Sequence, residues 1–191
     1  MATPLVRTRR WTRLEYERLV ELGVFEPGER LELLDGRLVL REPQGVSHAA
    51  GIRLAENALR AAFGAGWEIR GQLPVALDSS SEPEPDVAVV HGSTRDYLRE
   101  HPSRPVLVVE VAETSLAIDR RKSGLYARAG VPEVWIVNLV EGLLETYRTP
   151  APSPRARFGW AYTDVRRLGR SELVTPLAAP TARIAVSDLV P

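Results

Sequence analysis

Three residues of this 191-residue chain combine side-chain type and position in a way that could do chemistry: Asp86, Glu110 and Lys122. Lys122 is the one lysine among 25 basic residues, the remainder being arginine. It lies in DRRKSGLYARAG, where Ile118, Lys122, Leu125, Tyr126 and Ala129 recur at helical spacing. The lysine therefore falls on the apolar stripe, whereas Asp119, Arg120, Arg121 and Arg128 fall elsewhere. Glu110 interrupts the apolar run of RPVLVVEVAE and shares a pleat face with Val106 and Val108. Asp86 opens DVAVV behind two prolines, where a strand emerges from a loop and can face the same sheet edge. A buried carboxylate is costly unless it is paired, protonated or bound to a cation. Two carboxylates and a lysine on adjoining elements are the groups that Mg²⁺-dependent phosphodiester hydrolysis uses. The acids hold one or two hard cations, and the lysine orients or deprotonates the attacking water and offsets transition-state charge. Arginine stays protonated and cannot act as a base, which is a reason to keep one lysine here. The plain alternative is an ion-pair knot without chemistry, for which Lys122→Met would cost little stability.

The elements that must position these groups follow from periodicity and turn chemistry. Thr12 and Glu15 form a capping-box pattern that opens a helix from about Arg13 to Leu22, with Leu14, Leu19 and Leu22 available for burial and Gly23 as its stop. Asp35-Gly36 inside RLELLDGRLVLREP predicts a tight hairpin. Ser47 can cap a second helix running to Phe63, with His48, Ile52, Ala55, Leu59 and Phe63 on one stripe. WEIRGQLPVAL and DVAVV read as strands joined by the polar loop DSSSEPEP, and HGSTRDYLREHPSR as an excursion. RPVLVVEVAE is apolar on both faces up to Glu110, so it belongs at the centre of a covered sheet. A helix over Ile118 to Ala129 follows, closed by Gly130, and then VPEVWIVNLVEGLLETYRT as strand, turn and strand. GWAYTDVRRL and ARIAVSDLV are further strand-like pieces, with PAPSPRAR as a flexible tip between.

Composition narrows the classes. Without cysteine there are no disulfides, thiolate metal sites or thiol nucleophiles, so any metal must be held by oxygen or imidazole. No apolar run is long enough to cross a bilayer, and MATPLVRTRRWTRLEY lacks the apolar core of a secretory leader, so the expectation is a cytoplasmic protein with no membrane partner. The formal net charge of zero means that any nucleic-acid contact needs local positive charge. Arg7 to Arg13 and Arg120 to Lys122 are the two basic clusters. Trp135, Trp160 and Tyr162 read as a surface that a homo-oligomer, most simply a dimer, would cover.

The ordered set PEPDVAVV (83–90), VLVVEVAETS (106–115) and DRRKSGLYARAGVPEVWIVNL (119–139), with LELLDGRLVL and SHAAGI upstream and ARIAVSDLV at the end, resembles a large bacterial restriction-endonuclease domain family of the PD-(D/E)XK nuclease superfamily. The resemblance spans nearly the whole chain and implies an α/β (α+β) fold: a mixed central β-sheet flanked by helices, in a restriction-endonuclease-like core. It divides 1–191, read as a single domain, into a helix and hairpin over 1–45, the nuclease-like core over 46–139 and C-terminal strands over 140–191. It further implies a DNA endonuclease that uses Mg²⁺ or Mn²⁺. Pro85-Asp86 matches the PD element, with Asp86 a metal ligand. Glu110 matches the acidic member of the second element, with the backbone carbonyl of Val111 a further ligand. The lysine expected two residues after Glu110 is replaced by Ala112, and Lys122 matches a lysine displaced onto the following helix. Glu32 and His48 match accessory positions, and Asp119 and Tyr126 would fix Lys122 or the helix end. With Ala112 and zero net charge, a non-catalytic nucleic-acid-binding or interaction module on the same fold is the competing expectation.

Overall fold

The computed structural model describes residues 8–41 and 43–191. Arg7 and the residues before it, on which the first basic cluster and the reading of the leader partly rest, lie outside the described residues. Ten strands and three α-helices follow one another as α1 (Arg13–Glu21), β1 (Leu31–Leu34), β2 (Arg37–Leu40), α2 (Val46–Phe63), β3 (Trp67–Gly71), β4 (Val87–His91), β5 (Leu107–Ala112), α3 (Leu116–Arg128), β6 (Glu133–Asn138), β7 (Leu143–Pro152), β8 (Trp160–Leu168), β9 (Leu173–Val174) and β10 (Ile184–Ala185). The central sheet has six strands in the order β3-β4-β5-β6-β7-β8. Only β5 and β6 run parallel; every other neighbouring pair is antiparallel. A parallel pair needs a crossover, and α3 supplies it. The fold is thus a mixed α+β sheet with helices on both faces, as the sequence led us to expect.

β5 shows why its sequence is nearly all apolar. All six of its residues are buried. Leu107, Val109 and Val111 pack against Ile52, Ala55, Leu59 and Phe63 of α2 and against Val186, Leu189 and Val190 from the chain's end. Val108 faces the opposite layer, with Tyr126 and Ala127 of α3, Val134 and Tyr162. Alternation therefore places Glu110 on the α3 face, with Val108. Full burial of aliphatic side chains of this size stabilises by about 1.5–3 kcal/mol each, so the two layers hold the strand that carries Glu110 rigidly.

The hairpin forms as Asp-Gly predicts: Asp35 and Gly36 take φ of 50° and 75°, the left-handed pair that a two-residue turn requires. Its β1–β2 ribbon stands off the central sheet and is tied to it by a bridge between Leu33 and Glu82 and by Arg128, which reaches Asp35 at 2.7 Å and Asp78 at 2.8 Å. Gly130, at φ 76°, ends α3 as expected.

Several expectations are corrected. In α1 the capping box of Thr12 and Glu15 is present, but Leu14 and Leu22 are exposed and Tyr16 is the buried residue, because the helix presents that side to the hairpin and donates the Tyr16 hydroxyl to the Leu31 carbonyl. α2 begins at Val46 behind Gly45, which offers no side-chain cap, so Ser47 lies inside the helix. WEIRGQLPVAL is strand only to Gly71; Gln72 takes a left-handed φ of 52° and Pro74 lacks a donor, so the ladder stops. β7 runs on through Pro150 to Pro152, at the sheet side where proline is tolerated, and the tip begins after it. Trp135 and Tyr162 are core residues, and this removes the exposed aromatic surface from which a dimer was inferred. No helix among the described residues is long and apolar enough to cross a membrane.

Candidate functional site

Topology alone brings the two acids together. β4 and β5 are antiparallel with Val87 opposite Val109, so the start of β4 lies beside the end of β5, and Asp86 arrives next to Glu110 and Val111. The Val111 N–H donates to Asp86 Oδ2 at 2.8 Å, and the Asp86 N–H donates to Glu110 Oε2 at 3.3 Å. Continuing the register would set Pro85 opposite Val111. Proline has no N–H, so β4 offers the Val111 carbonyl no ladder donor. The crossover then returns α3 over the same end of the sheet. Lys122 Nζ stands 2.9 Å from Glu110 Oε1 and 3.1 Å from Glu32 Oε2, and the Tyr126 hydroxyl donates to Glu110 Oε1 at 2.6 Å. The lysine carried by α3 thus reaches Glu110 itself. Ala112 itself is buried against β6.

Asp86, Glu110 and Lys122 are only 3%, 2% and 5% exposed, and they form the floor of a cleft of about 150 Å³. Glu32, Arg41, Gln44, His48, Ser115 and Asp119 line its walls. Of the residues singled out from the sequence, Glu32, His48, Asp86, Glu110, Asp119 and Lys122 gather here, while Tyr126 and Val111 lie buried behind them. Asp119 corrects the helical wheel: it is buried and accepts from the Ser115 hydroxyl at 2.5 Å, while Ile118, assigned to the inward stripe, is half-exposed at the mouth. The first turn of α3 overhangs the cleft instead of packing on the sheet, which rotates that expectation by one residue.

Burial and neighbouring charges set the protonation states. Burial would raise the Asp86 carboxyl, but contact with His48, the Val111 N–H and Arg41 holds it below the ordinary range. For Glu110, burial together with the negative charges of Asp86 and Glu32 outweighs Lys122 and pushes its pKa up. Burial, with Glu110 next, lifts Asp119 to about 7. Lys122 resists its own burial because Glu110 and Glu32 hold it as an ammonium, well above the usual lysine value. Tyr126 is also held well above its usual value by burial and by Glu110, so it remains a hydroxyl donor. His48 Nε2 lies 3.4 Å from Asp86 Oδ1, and that carboxylate raises the imidazole despite burial.

Sequence reasoning missed Arg41 and Glu84. Arg41, at the exit of β2, donates from Nη2 to Asp86 Oδ1 at 3.0 Å and sets Nη1 2.8 Å from Glu84 Oε1. One signal existed for Glu84. In EPEPD an extended chain puts residues 84 and 86 on one side, so Glu84 had to share the direction of Asp86. Arg41 had none, since its position depends on how the ribbon folds over the sheet. Among the described residues, most of the two basic clusters is matched by carboxylates. Arg9, Arg10 and Arg13 are spent on Glu15, Asp35 and Glu17, and Arg120 is bound to Glu145, leaving Arg121 exposed and Lys122 inside.

Among the described residues, no three His, Asp or Glu side chains form a group that could hold a metal ion by themselves. The donor set nevertheless suits a hard cation that keeps its waters. It offers two carboxylates, one on β5 and one at the start of β4, and a carbonyl to which β4 gives no donor, all oxygen, in a chain that has no thiolate to offer.

The Uma2 family, described as "Putative restriction endonuclease", matches residues 14–186 of the chain. No curated protein matches it. Among solved structures, the chain is similar to "a putative nuclease belonging to DUF820" from Anabaena variabilis ATCC 29413. The TM-score is 0.65 at 15% identity, over 88% of this chain and 94% of that one, a likeness of fold.

Proposed function

Since the chain belongs to the Uma2 restriction-endonuclease family, we propose that it is a metal-dependent DNA endonuclease with its phosphodiester-cleaving centre at Asp86, Glu110 and Lys122. One observation carries this reading: two buried carboxylates from antiparallel neighbours meet at the floor of a cleft, with a lysine 2.9 Å from one of them. Asp86, Glu110 and the Val111 carbonyl would hold the cation. A bound Mg²⁺ or Mn²⁺ supplies Lewis-acid polarisation of the phosphate and part of the charge neutralisation. Lys122, kept as an ammonium by two carboxylates, stabilises charge developing on the phosphate and does not take the proton. Asp119, buried and lining the cleft, is the remaining carboxylate placed to accept a proton from the attacking water. Tyr126 fixes the Glu110 carboxylate, and Glu32 and Glu110 together fix the lysine.

The test is nicking and cleavage of supercoiled, linear and single-stranded DNA with Mg²⁺ or Mn²⁺. Activity should appear only with the cation and fall at least a hundredfold in Asp86→Asn and Glu110→Gln. Wild-type silence on every substrate, or activity that survives both substitutions, refutes the reading. The second reading, a nucleic-acid-binding module without catalysis, draws support from Arg41, which already occupies Asp86. It expects salt-sensitive DNA binding that both substitutions leave intact.

A further inference from the structure

Arg41 stands where a cation would approach. Its Nη2 lies 3.0 Å from Asp86 Oδ1, and Oδ2 of the same carboxylate is already taken by the Val111 N–H, so a cation entering from the cleft meets Asp86 on the oxygen that Arg41 holds. The guanidinium has a second anchor, Glu84 Oε1 at 2.8 Å from Nη1, which would keep it at the cleft after release from Asp86. Close by, Gln44 Nε2 is shielded from solvent without a hydrogen-bond partner among the described residues, and the side chain lines the same cleft. A buried amide donor with nothing to donate to is costly, and an arriving acceptor removes that cost.

Formal charge points the same way. Glu32, Asp86 and Glu110 face Lys122 and Arg41, Glu84 is matched by Arg30, and Asp119 and Glu113 on the walls add negative charge that His48 offsets only in part, so the cleft carries a net negative charge. A divalent cation offsets that excess and makes room for the charge of a phosphodiester. Guanidinium groups suit phosphate as well as they suit carboxylate, with the same planar fork of donors.

We propose that Arg41 is a displaceable arm. It competes with the divalent cation for Asp86 and, once displaced, swings with Gln44 onto the substrate phosphate, so that cation and nucleic acid bind cooperatively. The inference rests on Asp86 being a metal ligand, and it adds a partner exchange that makes cation binding weak until substrate is present. Thermodynamic linkage requires the effect to be reciprocal: whatever factor the oligonucleotide gains from the cation, the cation gains from the oligonucleotide.

The experiment measures Mn²⁺ affinity of the full chain from the free-ion paramagnetic resonance signal, with and without a short phosphorothioate oligonucleotide that resists cleavage. In wild type the oligonucleotide should tighten Mn²⁺ binding within the usual coupling range of about 5–150-fold. In Arg41→Gln, Mn²⁺ alone should bind about tenfold more tightly than in wild type, and the oligonucleotide should add several-fold less to it than it adds in wild type. Gln44→Ala should leave Mn²⁺ affinity alone unchanged and reduce the coupling. If Arg41→Gln does not fold, Arg41→Lys decides, because one ammonium cannot bridge Asp86 and Glu84 as the fork does, and tighter Mn²⁺ binding is again expected. Unchanged or weaker Mn²⁺ binding in the Arg41 variants, or coupling as large in them as in wild type, overturns the arm. Failure of wild type to bind Mn²⁺ in both conditions overturns instead the metal-site reading on which it rests.

Discussion

Replacing Lys122 with methionine separates an ion-pair knot that tolerates an apolar substitute from one that does not. From the sequence, a structural lysine exchanged for methionine should cost little, on the reasoning that buried ion pairs are often replaceable. The geometry changes that expectation. Lys122 serves two buried carboxylates, so its removal deletes the shared cation and leaves both acids in place. Breaking a buried pair from one side costs about 3–5 kcal/mol. Each acid keeps donors of its own, the Tyr126 hydroxyl and the Asp86 N–H on Glu110 and the Glu84 N–H on Glu32, which places the loss near the lower end, about 3 kcal/mol. For a domain of this size a loss across that range lowers the melting temperature by roughly 6–20 °C. The pH dependence has a definite sign. Without the lysine, the folded-state pKa of Glu110, already raised, climbs further above its unfolded value of about 4.3. The penalty is absent where both states are protonated, grows as pH rises above the unfolded value and is complete above the folded one. Lys122 itself, with its folded pKa raised, loses its contribution only as pH climbs past the ordinary lysine range, outside this window. Thermal melts followed by circular dichroism should therefore show the full loss at about pH 8 and little of it at about pH 4. Adding Glu110→Gln should return part of the stability at about pH 8. Equal melting of wild type and Lys122→Met at the higher pH, or a deficit that grows toward acid, would falsify the reasoning.

Two further predictions lie outside the proposed site. Gly51 of α2 faces β5, and a Cβ there would meet Val111 Cγ1 at 2.8 Å, a methyl on a stiff side chain that cannot swing away. Gly51→Ala should gain helix propensity yet lose more to overpacking, a net cost of about 1–2 kcal/mol seen as a lower melting temperature; a more stable variant would show that the layers have slack. Glu82, buried with Glu17 beside it, is pushed up to about 7, so the wild type loses stability as pH rises from about 4.5 toward 7. Glu82→Gln removes that slope and should be stabilising by about 1–3 kcal/mol at pH 8 and neutral at about pH 4 in denaturant titrations; a pH-independent difference counts against the shared-charge account.

How much could be read before folding differs from residue to residue. Glu110 betrayed itself by interrupting an apolar strand, because a lone carboxylate in a doubly covered sheet needs a partner. Lys122 showed by its place on an apolar helical stripe, and Asp86 by the prolines that deliver it to a strand end. Asp119 was misplaced because a helical wheel assumes a helix that packs along its whole length, whereas the first turn of α3 projects over the cleft. Trp135 and Tyr162 were misread for the complementary reason: aromatic residues at strand positions look alike until both sheet faces are known to be covered.

Local chemistry in the sequence was sufficient for the Asp35-Gly36 turn, the capping box of α1, the doubly buried β5 and the Gly130 stop, and it marked Glu110 and Lys122 as buried charges in need of partners. These depend on neighbours within a few residues, where sterics and hydrogen bonding act directly. Tertiary structure alone decided that Lys122 binds two acids and not one, that Arg41 and Glu84 close over Asp86, and that Arg10 and Arg120 pair with Asp35 and Glu145. Each of those contacts joins residues far apart in the chain, and whether they meet depends on strand order, register and the way the β1–β2 ribbon lies across the sheet.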